Sequence, residues 1–452
     1  MLEACSLRAA WPMHVSCRRD SPSRVVDQQG RTVHHWPVSA LGGTAALPWA
    51  QARHVAANAA NPLAPVLARL DEAAGHVLAE PITRLLDDPA SDIAAMSGYA
   101  VRGKGPWTLD AEPTRQPGHC YQVRVGDLLP AGTIAVLTLD QTESERTRGG
   151  GVRVLARDAL TGLPDPNAKP VIDEGIIRKG SWSGAGEVLV PAQPGAIVTP
   201  AMLALAAAAG HDAISVVRPP TACTIVIGNA LQAAGVPKPG RVREALGEAI
   251  PGYAVQLGAR AHPTVRSLDD QREVRGLVED ANADIIVTTG ALEGTRAAVT
   301  DLGARWLIDR VAVSPGGAAQ PGGAMLMARL ADDRILIGLP GEPIAALVGI
   351  VTLLGPVIAA MRATPPPDLP TAILSTAAPP PPRTTDTALV PVSVIAHEGR
   401  WFATPLQMSG PAQLAGWAKA DAIAVIEPGM GYRDDPVELL PMRTDGHWGL
   451  SA

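Results

Sequence analysis

Residues 220–364 alternate short, unbroken apolar runs with longer amphipathic ones. The apolar runs 224–227, 284–289 and 334–337 lead into Gly228, Gly290 and Gly338-Leu339-Pro340-Gly341. Segments 244–257, 270–282 and 294–303, lying between them, carry helical spacing. Apolar strands separated by helices predict a parallel sheet covered on both faces. Ligands of such sheets sit beyond the carboxyl ends of the strands, and glycine there lets a ligand reach the backbone.

Other stretches have a different grammar. Leu63, Val66, Leu67 and Leu70 recur at three- and four-residue spacing and predict helix over 48–80. Residues 98–172 hold short β-like runs, at 121–125 and 134–139, split by Gly, Pro and Asp turns. Pro200 and Gly210 bracket a second helix. The apolar run 344–360 is broken by Gly349 and Pro356. It is shorter than the roughly 20 residues a membrane span needs and predicts a buried core helix. A proline-rich stretch over 365–385 predicts a stiff linker, and 386–452 returns to β-runs. The expected architecture is α/β plus β-rich. An extension covers 1–47. A helical linker domain is formed by 48–90 and 173–218, with a β-rich insertion at 91–172. A doubly wound α/β domain spans 219–364, and a small C-terminal β-barrel domain follows the linker at 386–452.

Charge and chemistry narrow the function. The net charge of −6 argues against nucleic acid, whose phosphates need clustered cations. Lysines are scarce: Lys104, Lys169, Lys179, Lys238 and Lys419. Cys5, Cys17, Cys120 and Cys223 have no metal spacing, and no histidine pair has one either. A reducing, cytoplasmic setting is expected, with no membrane and no secretory leader. Cys223, in an apolar run, is expected to be a buried, inert thiol.

One segment fits none of these patterns. SDIAAMSGYAVRG (91–103) puts a Gly-Tyr pair and a lone aspartate into a small apolar run; a buried strand would not want Gly98, and a surface loop would not want Ile93, Ala94, Ala95 and Met96 together. It resembles D-N-S-A-M-D-G-Y-A of the MoeA/gephyrin-type molybdopterin molybdenumtransferases. VGDLLPAGTIAV (125–136), IRKGSWSGAG (177–186), IVIGNALQAAG (225–235), IIVTTGALEGT (285–295), VSPGGA (313–318), IGLPGEPIAALV (337–348) and LQMSGPAQL (406–414) are similar to further family segments, in the family's order. The resemblance runs from about residue 48 to 442. It implies the last common step of molybdenum cofactor synthesis: adenylated molybdopterin and molybdate bind, the metal is inserted, and AMP is released with Mg²⁺ present. It also implies a homodimer whose cleft lies between the α/β domain of one subunit and the β-rich domain of the other, with the Met-Gly-Tyr segment a site loop folded across that cleft rather than a strand. The substrate-binding positions it implies are Asp92, Met96, Gly98, Tyr99, Gly228, Asp269, Thr289, Gly290, Pro315, Gly316, Pro340, Gly341, Pro343, Ser409 and Gly410.

Most of the departures remove or invert a charge. Where the family has Asn, Ser and Asp in its first segment, this chain has Ile93, Ala94 and Ser97. Glu-Asp becomes Ser181-Trp182, Thr-Gly-Asp-Glu becomes Ile227-Gly228-Asn229-Ala230, and a late Asp becomes Thr295. The two lysines of K-P-G-K become Ser314 and Gly317, and the Asn of L-P-G-N-P becomes Glu342. Magnesium wants hard oxygen ligands, and phosphate and molybdate want cations. Two expectations follow. In an enzyme, Asp92, Asp269, Glu244 or Glu342 take over these duties, and carboxylates with a facing arginine line the cleft. In a non-catalytic relative that binds pterin, or pairs with a paralogous molybdenumtransferase or a molybdoenzyme, Ile93, Val125, Ile134 and Trp182 line it. Asp269-Asp270 also reads as a plain helix cap, Ser409-Gly410 as a turn, and Arg310 as a surface residue at a strand end.

Overall fold

A computed structural model describes residues 23–26, 32–35, 46–113, 116–315, 323–366, 368–379, 385–406 and 413–442 of the chain. The expected strands are present as Thr221–Ile227, Ile285–Gly290 and Ile335–Pro340, parallel neighbours in that spatial order. Arg260–Ala261 and Val265–Ser267 extend the sheet beside Thr221–Ile227. Leu326–Arg329 and Arg305–Ile308 close the other side as antiparallel strands. Helices Gln271–Asp280 and Leu292–Asp301 cover one face through Val274, Val278, Ala298 and Val299. Leu246–Gln256 and Trp49–Ala57 cover the other, with the long helix Pro343–Met361. Both faces are therefore dry, as the unbroken apolar strands require.

The long helix is the centre of the larger core. It is apolar and long enough to cross a membrane by length and composition, but 78% of it is buried inside the protein. At Ile350–Leu354 it widens into a π-turn just before Gly355-Pro356. Pro356 has no N–H to donate and its ring crowds the preceding turn, so the wider turn absorbs the misfit. The Thr352 hydroxyl donates to Val348 O at 2.6 Å and accepts from Trp49 Nε1 at 3.1 Å, locking the first helix onto the bulge.

Val311–Pro315 leaves the α/β sheet and pairs in parallel with Thr387–His397, so the C-terminal β-region is hydrogen-bonded to the α/β domain. Leu389, Trp417, Ile423 and Leu440 share a core with Leu353 and Ile358. The proline-rich stretch is more than a linker. Thr371–Leu374 within it is a strand between Arg400–Pro405 and Pro436–Pro441.

Two further expectations are corrected. The N-terminal region is mainly short strands. Helix ends at Ala57, and Val66–Arg69 pairs with Ala213–Val217, which also pairs with Val77–Leu78. Pro62 and Pro65 forbid a continuous helix, and the periodic residue Leu67 is 77% exposed. Pro200–Ala208 is the helix expected farther along. The second correction concerns Gly98–Val101. It is a strand, not a loop, and lies between His119–Val123 and Ala135–Leu137 in a seven-stranded sheet. Gly98 suits the strand because a Cβ there would collide with the Leu137 carbonyl. A close backbone approach, not flexibility, explains the Gly-Tyr pair.

The N-terminal strands meet the α/β domain at His76. This side chain is 5% exposed, and its Nε2 lies 3.2 Å from Arg260 Nη2. Arg362 reaches the same place and donates to Gly75 O at 2.9 Å. Burial, then Arg260 and Arg362, hold the imidazole below the ordinary histidine value, with Glu72 opposing weakly.

A depressed histidine pKa means the unfolded chain binds the extra proton more readily. Stability is therefore expected to be full above roughly pH 6.5 and to fall as pH drops below it. Thermal melts between pH 5.5 and 7.5 should show this slope, and His76→Gln should flatten it. Gly98→Ala is expected to cost about 2 kcal/mol or more, an overpacking penalty against fixed backbone, read as a lowered denaturation midpoint.

Candidate functional site

The carboxyl edge of the parallel sheet is built by close backbone contacts. Gly290 has φ +112°, and a Cβ on it would strike the Ile227 carbonyl of the neighbouring strand. A Cβ on Gly341 would sit 3.2 Å from Gly290 Cα. The buried Thr289 hydroxyl donates to Pro340 O at 3.0 Å, tying the second strand end to the third. Gly228, Thr289, Gly290, Pro340, Gly341 and Pro343 thus come together on one edge. At Thr289 and Gly290 the structural duty is complete without a ligand.

Asp269 joins this edge from the turn after Val265–Ser267. Its backbone N–H donates to Asn229 Oδ1 at 3.0 Å. Asp270, not Asp269, caps the next helix, accepting from Arg272 N and Glu273 N at 3.0 Å each. The Asp269 carboxylate is exposed, with no hydrogen bond or ion pair among the described residues, and faces the start of helix Leu292–Asp301. A Cβ at Gly294 would come within 2.7 Å of its Oδ1. The sequence marked Asn229 only as a departure from the family pattern, and Gly294 did not stand out. Asn229 occupies the place of a family aspartate and holds the turn with a neutral oxygen.

The other carboxylates are engaged. Glu244 is 7% exposed, accepts from Gly247 N at 2.5 Å and pairs with Arg266 Nη2 at 3.1 Å. Glu248 lies 3.5 Å from the same nitrogen. Here two carboxylates and an arginine do face one another, but as a closed ion-pair group. Glu342 caps the long helix, accepting from Ile344 N at 3.3 Å and Ala345 N at 2.7 Å. Its charge is directed at the helix N-terminus, where an anion would otherwise be welcome.

The first-segment positions lie in another part of the molecule. Asp92 accepts from Lys179 N at 2.8 Å and from Arg178, which also binds Asp173, so it ties two chain segments together. Met96 and Tyr99 pack against the β-rich domain's own cores. Val125 and Trp182 are more than 60% exposed there, while Ile93 and Ile134 are half-buried. Pro315 is buried at the end of the connecting strand. Gly316, Ser409 and Gly410 lie outside the described residues. Arg310 is an exposed residue preceding a strand, as expected, and burial pushes the Cys223 thiol up, in keeping with an inert role.

A divalent cation held by this chain alone does not fit these residues. No group of three His, Cys, Asp or Glu side chains converges among the described residues. With Glu244 and Glu342 spent, Asp269 stands single at the edge. A recess of about 670 Å³ at the opposite edge of the sheet is lined by Arg218, Arg260, His262 and Asp284. Arg218 meets both Asp284 oxygens at 2.8 and 2.9 Å. Burial would raise that carboxyl, but Arg218 and Thr221 outweigh it and hold it low, so this pair closes the sheet structurally.

Residues 47–210 match the model of the MoeA N-terminal region (domain I and II), and 223–360 match that of a probable molybdopterin binding domain. The chain belongs to the MoeA family. The molybdopterin molybdenumtransferase of Bacillus subtilis is 26% identical over 406 residues, covering 83% of this chain and 89% of that protein. Molybdopterin molybdenumtransferase 2 of Mycobacterium tuberculosis is 28% identical over 326 residues, covering 68% and 77%. Two structures of the molybdopterin biosynthesis MoeA protein of Pyrococcus horikoshii share the fold. Their TM-scores are 0.65 and 0.56 at 21% and 19% identity, covering 88% and 87% of this chain and 99% of each of theirs. This MoeA-family member therefore keeps the backbone frame of the strand-end edge, while its charged groups bind mostly one another.

Gly290→Ala is expected to destabilise by about 2 kcal/mol or more, through strain at positive φ and overpacking against Ile227 O. Glu342→Ala should cost about 1 kcal/mol of helix capping. Chemical denaturation checks both.

Proposed function

We propose that this chain acts in molybdenum cofactor biosynthesis, on adenylated molybdopterin held at the carboxyl edge of the α/β domain, with molybdate as second substrate and AMP as product. The observation that carries this reading is the joined edge of Gly228, Gly290 and Gly341, inside a chain that matches the MoeA N-terminal region and the molybdopterin-binding domain in series. Glycine at the strand ends lets a ligand approach the backbone closely, while Gly228 N itself donates to Ser267 O at 3.1 Å. The work proposed for the chain's own residues is binding, orientation and one proton transfer. Asn229 holds the Asp269 turn, and the unengaged Asp269 carboxylate faces the bound phosphoanhydride and accepts a proton from the water that cleaves it.

A second copy is supported by uncovered apolar surface. Helix Pro200–Ala208 reads PAMLALAAA yet buries only Ala206, and Leu86 and Trp182 are more than 60% exposed. A homodimer would cover such surface. Cys120 and Cys223 are both free and buried, in keeping with a reducing cytoplasm. One observation favours a non-catalytic pterin-binding relative: Glu244, Glu342 and Asp92 are engaged inside the protein.

Purified protein incubated with adenylated molybdopterin, molybdate and Mg²⁺ is expected to release AMP in a molybdate-dependent manner. Asp269→Asn should slow release at least about tenfold, the usual scale for a lost acid-base group, with the melting temperature unchanged because the side chain is exposed. Binding without release would establish the non-catalytic reading.

A further inference from the structure

The loop between Ile227 and Leu246 carries a feature the reading above does not use. Three cations, Lys238, Arg241 and Arg243, stand within six residues of a chain that has only five lysines. All three are exposed, and none has a carboxylate partner among the described residues. Arg266, Arg296 and Arg334 of the same domain are each tied to carboxylates.

The loop is built rather than slack. Leu231–Gln232 and Val242–Arg243 pair as a small parallel ladder. Gln232 holds the tip by donating to Ala234 O and Val236 O at 2.6 and 2.8 Å and accepting from Lys238 N at 3.0 Å. Arg241 N donates to Lys238 O at 2.9 Å, closing a turn over Gly240, whose φ is +76°. Arg241 Nη1 binds Asn229 O at 2.6 Å, and Arg243 Nη1 binds Gln232 O at 3.1 Å as well as Ala233 O. These carbonyl bonds aim the guanidinium groups without cancelling their charge. Asn229 is the residue whose side chain holds the Asp269 turn, so Arg241 is one residue's reach from the strand-end edge.

The rest of that edge offers an anion little. The loop after Val311–Pro315 contains no lysine or arginine between residues 311 and 328. Arg266 is neutralised by Glu244 and Glu248, and Glu342 occupies the helix N-terminus. Among the described residues at this edge, uncancelled positive charge is concentrated in the 238–243 loop, with the exposed Arg272 at the start of helix Gln271–Asp280 as one further cation.

We propose that Lys238, Arg241 and Arg243 form the phosphate clamp of this site, gripping the phosphoanhydride of the nucleotide-bearing substrate from the 229–243 loop. The proposal rests on the function proposed above. Arginine suits the task because its planar fork meets two phosphate oxygens at once. The clamp sets substrate class: a phosphorylated or nucleotidylated ligand is held, and its dephosphorylated form is not.

The test is calorimetric titration of the full-length protein with adenylated molybdopterin and, separately, with inorganic pyrophosphate, at several salt concentrations. The K238Q/R241Q/R243Q variant is compared with R153Q/R157Q/R275Q, which removes equal charge elsewhere, and with R241K/R243K. The clamp variant is expected to bind both ligands at least about tenfold more weakly, the scale of lost charge-assisted hydrogen bonds, and with a flatter salt dependence. The control should match the parent, and R241K/R243K should fall between. Unchanged affinity and salt dependence in the clamp variant would overturn the proposal, even if the loop were then found to bind an acidic protein. A parent that binds pyrophosphate through the loop but not adenylated molybdopterin would support the clamp and overturn the function proposed above.

Discussion

Three parallel strand ends converge at Ile227, Gly290 and Gly341 so closely that side chains are excluded between them. Thr289 adds the lateral hydrogen bond to Pro340. Everything on the carboxyl edge takes its position from this contact: the turn bearing Asp269, the start of helix Leu292–Asp301, and the cap of helix Pro343–Met361. Its rigidity comes from below. Ile225, Ile285, Ile286, Ile335 and Ile337 are essentially unexposed, and each buried side chain of this size contributes about 1.5–3 kcal/mol.

The same core unites parts of the chain that are distant in sequence. Helix Pro343–Met361 packs with Trp49, with Leu246–Gln256 and with Trp417 of the C-terminal region. Val311–Pro315 carries hydrogen bonding from the α/β domain into the last sheet. The C-terminal region is therefore not free to swing on a proline linker, and its position against the α/β domain is set by a shared interior.

Charge on this framework is arranged by pairing. Carboxylates near the edge hold the fold, Glu244 with Arg266 and Glu342 on its helix, as Asp284 does with Arg218 at the opposite edge of the sheet. Uncancelled charge is left at few places, Asp269 and the basic loop among them. A site with so little free charge depends on where each remaining group points, and backbone hydrogen bonds set that direction for Arg241 and Arg243.

The sequence by itself determined the α/β alternation, the three glycine-ended strands and the burial of 344–360, because unbroken apolar runs and turn glycines are local signals of a two-sided core, and its ordered segments carried the family resemblance. It also showed which family charges are missing. It misled where a local pattern met tertiary competition. Leu63, Val66, Leu67 and Leu70 have helical spacing, yet Pro62 and Pro65 and the partner strand Ala213–Val217 made 66–69 a strand. Gly98 looked like a loop residue, yet the nearness of Leu137 O makes it a strand residue. Only the tertiary structure decided which charges are free. Whether Glu342 repels an anion or caps a helix, and whether Asp269 or Asp270 takes the cap, depends on hydrogen-bond partners brought close by folding, and spacing along the chain does not encode them.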